Sequence, residues 1–181
     1  LGRESVHIGL ETVIKPFVVI DAERGPVWIG RNVTVFPHSY IQGPAFIGDG
    51  SLLHPGSVVH SGTHIGPESK VGGEIDNTVF QGYSNKQHNG FLGHSYVCSW
   101  VNIGADCTNS DLKNTYGTVR VPINGCKIES EEVFVGMFMG DHCKSGINVS
   151  FPTGAVVGFC SNVITSPCPK FVPSFSWLEG S

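Results

Sequence analysis

Aliphatic residues recur at every sixth position from Ile29 to Val71, through Val35, Ile41, Ile47, Leu53, Val59 and Ile65. Four places after each of the first seven stands a small residue: Val33, Ser39, Ala45, Ser51, Ser57, Thr63 and Ser69. Glycine follows the aliphatic position at Gly30, Gly48 and Gly66, which sets an eighteen-residue super-period. A helix repeats near 3.6 residues and a strand near two, so neither produces this register. Three six-residue faces per turn predict an all-β, single-stranded left-handed parallel β-helix of hexapeptide repeats. Its aliphatic side chains fill the prism, and its small residues sit where three walls converge. The left-handed crossover departs from the usual rule for parallel connections.

The register continues more faintly on both sides. Ile8, Ile14 and Ile20 share the spacing before a three-residue slip at Glu23-Arg24-Gly25-Pro26. Phe91, Val97 and Ile103 resume it, with Ser95, Val101 and Cys107 as small partners, and Met137, Cys143, Val149, Ala155 and Ser161 carry the small position onward. Two stretches fit no hexad: 72–89, which is polar, and 109–132, which is charged. Both are expected to be loops ejected from the coils, where solenoids carry their function.

With 181 residues, residues 1–181 read as one β-helix domain, expected to be the C-terminal part of a longer chain. No apolar run approaches the length of a membrane span. The six cysteines form no CxxC pair and no regular framework, which predicts reduced thiols and a cytoplasmic location. A net charge of −4 argues against a nucleic-acid partner, so an anionic ligand must be gathered by a local cluster of cations.

The densest polar run is Ser84-Asn85-Lys86-Gln87-His88-Asn89-Gly90-Phe91-Leu92-Gly93-His94, followed by Trp100-Val101-Asn102-Ile103-Gly104-Ala105. A third block, from Thr108 to Gly117, contains Asn109-Ser110-Asp111-Leu112-Lys113-Asn114-Thr115-Tyr116. Together with the tail around Pro169-Lys170-Phe171, these blocks resemble the acetyltransferase domain of bifunctional N-acetylglucosamine-1-phosphate uridyltransferase/glucosamine-1-phosphate N-acetyltransferases. They are similar above all to a bacterial subgroup of sugar nucleotidyltransferases. The resemblance implies an acetyl-CoA-dependent sugar N-acetyltransferase in nucleotide-sugar biosynthesis, acting on an amino-sugar phosphate, with no metal. It places His88 as the catalytic base and Asn102 as the residue that orients sugar and base. It also implies substrate contacts from Lys86, Phe91, Asn109, Lys113 and Tyr116, and acetyl-CoA contacts from Ala105 and Lys170. Phe91 stands where many members carry Tyr, Cys98 and Asp106 replace glycines, and Cys107 replaces Thr.

The residue types suit that chemistry on their own terms. Transfer from a thioester to an amine needs a base that titrates near neutrality, and unperturbed imidazole, at about 6.5, does so. A backbone N–H at a corner can hold the developing oxyanion, an interaction worth about 3 kcal/mol. Lys86 and Lys113 flank the base and can neutralise a phosphate. For His94 the residue types favour an ordinary solvated loop residue.

Two other functions compete. His54, His60 and His64 raise a zinc site of the β-helix carbonic anhydrase kind, but successive faces point His54 and His60 about 120° apart. Their neighbouring coils show no acidic or glutamine partner for them. The second is a non-catalytic trimerisation domain. Outward Phe36, Phe46, Phe80 and Trp100 are expected to leave apolar surface that a homotrimer would cover.

Overall fold

A computed structural model describes residues 2–180 of the chain. Short parallel strands stack into nine coils around a three-sided prism, the left-handed β-helix that the hexads predict. Outside the coils the regular elements among the described residues are a short 3-10 turn, Arg3–Ser5, and one antiparallel hairpin. Coil 2 shows the unit, with Val27–Ile29 on the first face, Thr34–Val35 on the second and Tyr40–Gln42 on the third. Coil 3 repeats it as Ala45–Ile47, Leu52–Leu53 and Val58–Val59. The first face is one continuous nine-stranded sheet, from Val6–Ile8 to Phe171–Val172.

Interior positions are as dry as the spacing requires. Ile29, Val35, Ile41, Ile47, Leu53, Val59, Ile65 and Val71 are all fully buried, and the small partners Ser39, Ser51, Ser57 and Ser69 are buried beside them. Each such aliphatic side chain contributes about 1.5–3 kcal/mol by leaving water. The serines survive burial because their hydroxyls donate to backbone, as Ser51 Oγ does to Gly66 O at 3.1 Å. Gly48 lies where neighbouring coils approach closely. A Cβ there would stand 2.6 Å from Pro67 N.

The register tracks every irregularity in the sequence. Ile8 pairs with Ile29, twenty-one residues on, so the slip at 23–26 is absorbed as a longer turn. Ile29 then pairs with Ile47 and Ile47 with Ile65, each eighteen on. After Ile65 the coils shorten: Phe80 follows fifteen residues later and Val97 a further seventeen. The stretch 72–89 is therefore not ejected. It forms Glu74–Asp76, Val79–Phe80 and Asn85–Lys86 inside coils of fewer residues, with Ile75 and Phe80 filling the prism. Phe80 accordingly points inward, not outward as the hexad count predicts. The same loss of phase makes Leu92, not Phe91, the interior residue of its strand.

The second irregular stretch does leave the prism. Val97 pairs with Met139, forty-two residues on, and the insertion between them carries the antiparallel hairpin Arg120–Ile123 with Cys126–Glu129. Asn124 and Gly125 turn it at φ 51° and 77°, the left-handed pair that a tight two-residue hairpin loop demands. Val119, Val121 and Val135 form a second small core that packs on Phe138 and Val156 and docks the hairpin against the first face. All six cysteines are free thiols.

Candidate functional site

His88 sits at the corner between the second and third faces, after Asn85–Lys86 and before Phe91–Gly93. Its side chain is exposed and makes no hydrogen bond among the described residues. The next coil runs directly above it. Asp106 N–H donates to Asn89 O at 3.1 Å, and Asn102 bridges to Asn85, so Ala105 overlies His88 seventeen residues on. Asn102 points outward on the second face, three residues before that corner. His88, Asn102 and Ala105 therefore lie on adjacent coils beside one corner.

Lys86 and Asn109 do not join them at the surface. Lys86 takes the interior position that Val71 holds one coil earlier, and it is 1% exposed. Its ammonium donates to Gly72 O at 3.0 Å and to His88 O at 2.9 Å. Burial is the largest influence on it and pushes its pKa down to about 8, although Cys107 and Asp106 pull the other way. It ties the His88 turn from inside and does not present a cation to a sugar phosphate. Asn109 is likewise buried: Gly93 N–H donates to its Oδ1 at 2.8 Å, and its Nδ2 donates to Gly93 O at 2.9 Å. Its amide stands in for a missing strand partner. Phe91 is half-buried on the third face against Glu74, and Tyr116 is an exposed side chain in the insertion.

Lys113 and Lys170, fifty-seven residues apart in sequence, meet on the other side of the prism. With Arg120 and Lys127 of the hairpin they line a cavity of about 360 Å³, floored by Pro122 and Phe171. Four cations converge there. Glu129 engages Arg120, and Lys113 donates to Thr118 O. Partial burial, then Lys113 and Lys127, hold the Lys170 ammonium below its ordinary value. An anion entering this cavity relieves that repulsion. Pro122 and Phe171 also belong to an adjoining apolar groove of about 370 Å³ on the first face, lined by Tyr96, Phe138, Val156 and Phe159. Sequence reasoning missed Arg120 and Lys127. The signal was present in the basic residues flanking Asn124-Gly125.

His94 is not the solvated loop residue that its sequence context favours. Its Nδ1 lies 2.8 Å from Asp111 Oδ2, both side chains are largely buried, and the ring stacks on Phe134. The zinc histidines are also partnered, contrary to the sequence reading. His54 Nε2 meets Gln87 Oε1 and His60 Nε2 meets Glu74 Oε1, each at 3.1 Å, while His64 stacks on Phe46. The three imidazoles engage different neighbours on different sides of the prism. No group of three metal-ligating side chains occurs among the described residues.

No family model matches the chain. Among curated proteins it is 31% identical over 137 residues to the bifunctional sugar-1-phosphate nucleotidylyltransferase/acetyltransferase of Sulfurisphaera tokodaii, covering 75% of this chain and 34% of that protein. It is 27% identical over 184 residues to the bifunctional protein GlmU of Thermotoga petrophila, covering 92% of this chain and 38% of the relative. The chain thus spans little more than a third of the length of these relatives. Among solved structures, the N-acyltransferase AntD of Bacillus cereus, in complex with dTDP and coenzyme A, aligns at 15% identity with a TM-score of 0.35, over 96% of this chain and 75% of its own. That superposition is too loose to carry an argument. Along most of its own length this β-helix is a relative of the bifunctional sugar-1-phosphate nucleotidylyltransferase/acetyltransferases.

Proposed function

We propose that this β-helix transfers an acetyl group from acetyl-CoA to the amine of an amino-sugar phosphate. The observation that carries the reading is the union of Lys113 and Lys170 with two further cations in one cavity that opens onto an apolar groove. That pairing suits a donor with a phosphorylated head and a long, weakly polar arm. The head docks on the cations and the arm runs along Phe138 and Phe159. Lys113, which the resemblance gives to the sugar phosphate, then shares the donor's phosphates with Lys170.

At the other pole, His88 removes a proton from the acceptor amine as nitrogen attacks the thioester carbonyl. Asn102 holds the sugar, and a backbone N–H near Ala105 receives the oxyanion. The thiolate of CoA leaves with a proton returned through the imidazole. The relatives' names, which join acetyltransferase to sugar-1-phosphate nucleotidylyltransferase, support this chemistry.

The corner bearing His88 lies opposite the first face, where the donor groove runs, so one chain cannot bring its own halves together. We assign the complete site to two copies within a homotrimer, each lending its groove to the neighbour's histidine. Exposed Trp28 and half-buried Phe46 on the first face supply apolar contact surface. Light scattering at micromolar concentration should give three chains, and a monomer would remove the shared site. Thiol release followed against amino-sugar 1-phosphates and nucleotide amino sugars tests the activity. A correctly assembled trimer that turns over none of them would be a trimerisation domain.

A further inference from the structure

The second face of coils 4 to 7 carries an array of which the proposed transfer chemistry uses Asn102 alone. In each of these coils the residue at the entering corner is followed two places later by the outward residue of the face. The pairs are Glu68 and Lys70, Tyr83 and Asn85, Trp100 and Asn102, His142 and Lys144. The outward residues form one column, since Lys70 pairs with Asn85, Asn85 bridges Asn102, and Asn102 bridges Lys144. Two amides are thereby bracketed by two cations. None of these four side chains makes a hydrogen bond or ion pair among the described residues.

The corner residues form a second column of rings. Tyr83 stacks on Trp100 at 4.9 Å and 13°, and Trp100 continues to His142 at 6.1 Å and 5°. Trp100 therefore carries a ring on either face and exposes its edge, while Tyr83 ends the ladder; Tyr83 and Trp100 are 46% and 55% exposed. Both are held at positive φ, 54° and 62°, a backbone region costly for bulky side chains. In coils 2 and 3 the same corner is turned by Asn32 and Gly50, which adopt it cheaply. A shallow cavity of about 310 Å³ joins the two columns, lined by Glu68, Lys70, Tyr83, Asn85, Trp100 and Asn102. His88 lies at the far edge of this face.

We propose that this face binds a nucleotide-linked sugar, with the base stacked on the outer face of Tyr83, at the end of the ladder that Trp100 and His142 continue. The phosphates lie over Asn85, within reach of Lys70 and Lys144, and the amino sugar extends past Asn102 to His88. Stacking on an aromatic ring tolerates any base, amides donate to phosphate oxygens, and Glu68 accepts from a base N–H or a ribose hydroxyl. Lys70 and Lys144 also supply the exposed cations that buried Lys86 cannot. The assignment rests on the acetyltransferase reading only for the direction of the sugar.

Calorimetry on the assembled full chain separates the possibilities, with UDP, GDP, UDP-glucosamine and glucosamine 1-phosphate as probes. UDP-glucosamine should bind at least about tenfold more tightly than glucosamine 1-phosphate, and UDP and GDP should bind measurably without a sugar. Tyr83→Ala should weaken the nucleotides by about tenfold or more, whereas Tyr83→Phe, which keeps a stacking ring, should retain most of the affinity. Lys144→Ala should weaken them and flatten the salt dependence. Nucleotides that bind no better than glucosamine 1-phosphate, or that bind equally well to Tyr83→Ala, overturn the proposal. Light scattering showing that Tyr83→Ala dissociates the oligomer, with nucleotide affinity unchanged, would make the ladder a subunit contact and overturn it too. Binding is read without turnover. A protein that binds UDP-glucosamine but transfers no acetyl group sustains this site and removes the transfer reading; turnover of glucosamine 1-phosphate without nucleotide binding does the reverse.

Discussion

Coils 2 to 4 and coils 5 to 9 are built on the same prism yet obey different rules. In the earlier group, pairing partners on the first face stand eighteen residues apart, and the sixth-position interior residue is aliphatic in every hexad. In the later group the separation becomes fifteen, seventeen, forty-two, eighteen and fifteen. There the interior admits Lys86 and Asn109, and a hairpin breaks out. Every residue assigned to the transfer site lies in the second group. A perfect repeat presents the same side chain in each coil, so only departures from the repeat can gather unlike groups at one place. Irregularity is what the function needs, and the regular coils supply the stability that tolerates it.

The largest effect that would break this division is catalytic. His88→Ala is expected to lower kcat by about 10²–10⁴-fold with little change in KM, because a general base acts mainly in the transition state. His94→Asn is the control. With Asp111 at its Nδ1, His94 is the better-oriented imidazole, and a comparable loss there with full activity in the His88 variant would transfer the base to His94. The counterpart in the regular coils is Ile47→Ala, which should cost about 2–5 kcal/mol of unfolding free energy. Chemical denaturation reads that loss, and kcat of the folded fraction should not follow it. A parallel fall in kcat would show that the regular coils are not merely scaffold.

The fold was legible because hexads with a rigid period leave one solution. Ile29 to Val71 fixed both the interior and the three faces. The period could not foresee where coils lose residues, so 72–89 read as a loop when it is three strands. A shortened coil costs little if backbone pairing is kept, and pairing leaves no mark in side-chain spacing. The site was legible in part. His88, Asn102 and Ala105 are neighbours because seventeen residues make one turn there, and Lys113 meets Lys170 because the insertion folds back on the last coils. Lys86 and Asn109 were misplaced because polar type was taken for exposure. Each is instead satisfied inside by carbonyl or amide groups that only the folded chain brings near.

Lys86 sharpens the comparison through pH. Its pKa is about 8 in the fold, against about 10.4 in an unfolded chain. The unfolded state therefore binds more protons between those values, and stability should rise as pH increases from about 8 to about 10.4. The full release is on the order of 3 kcal/mol. Other groups titrate here too, among them Cys168, whose thiol burial pushes to about 12. The measurement is accordingly the difference between the native chain and Lys86→Met in denaturant midpoint across that range. A difference that stays flat would mean the amine is solvated and the His88 turn is not clamped from inside. In the cationic cavity, Lys113→Ala or Lys170→Ala should weaken CoA by about tenfold each and reduce the salt dependence of binding, with kcat nearly unchanged. Salt dependence that stays at its native slope would place the donor elsewhere.

The smallest effect belongs to the regular coils. Arg31 Nε and Nη2 donate to Asp49 Oδ2 at 3.1 and 2.9 Å, and the Arg31 backbone N–H donates to Asp49 Oδ1 at 2.8 Å. Together these hold the Asp49 carboxyl below its usual range, the backbone contact most of all. The two side chains are 68% and 48% exposed, so water and salt screen the pair. Arg31→Ala should cost at most about 1 kcal/mol and lose even that in high salt. Asp49→Ala should cost more than Arg31→Ala, because it also frees a backbone N–H at the coil corner. If the two variants prove equal, the guanidinium rather than the corner carries the interaction. Surface charge would then matter to the regular coils more than their buried aliphatic ladder implies.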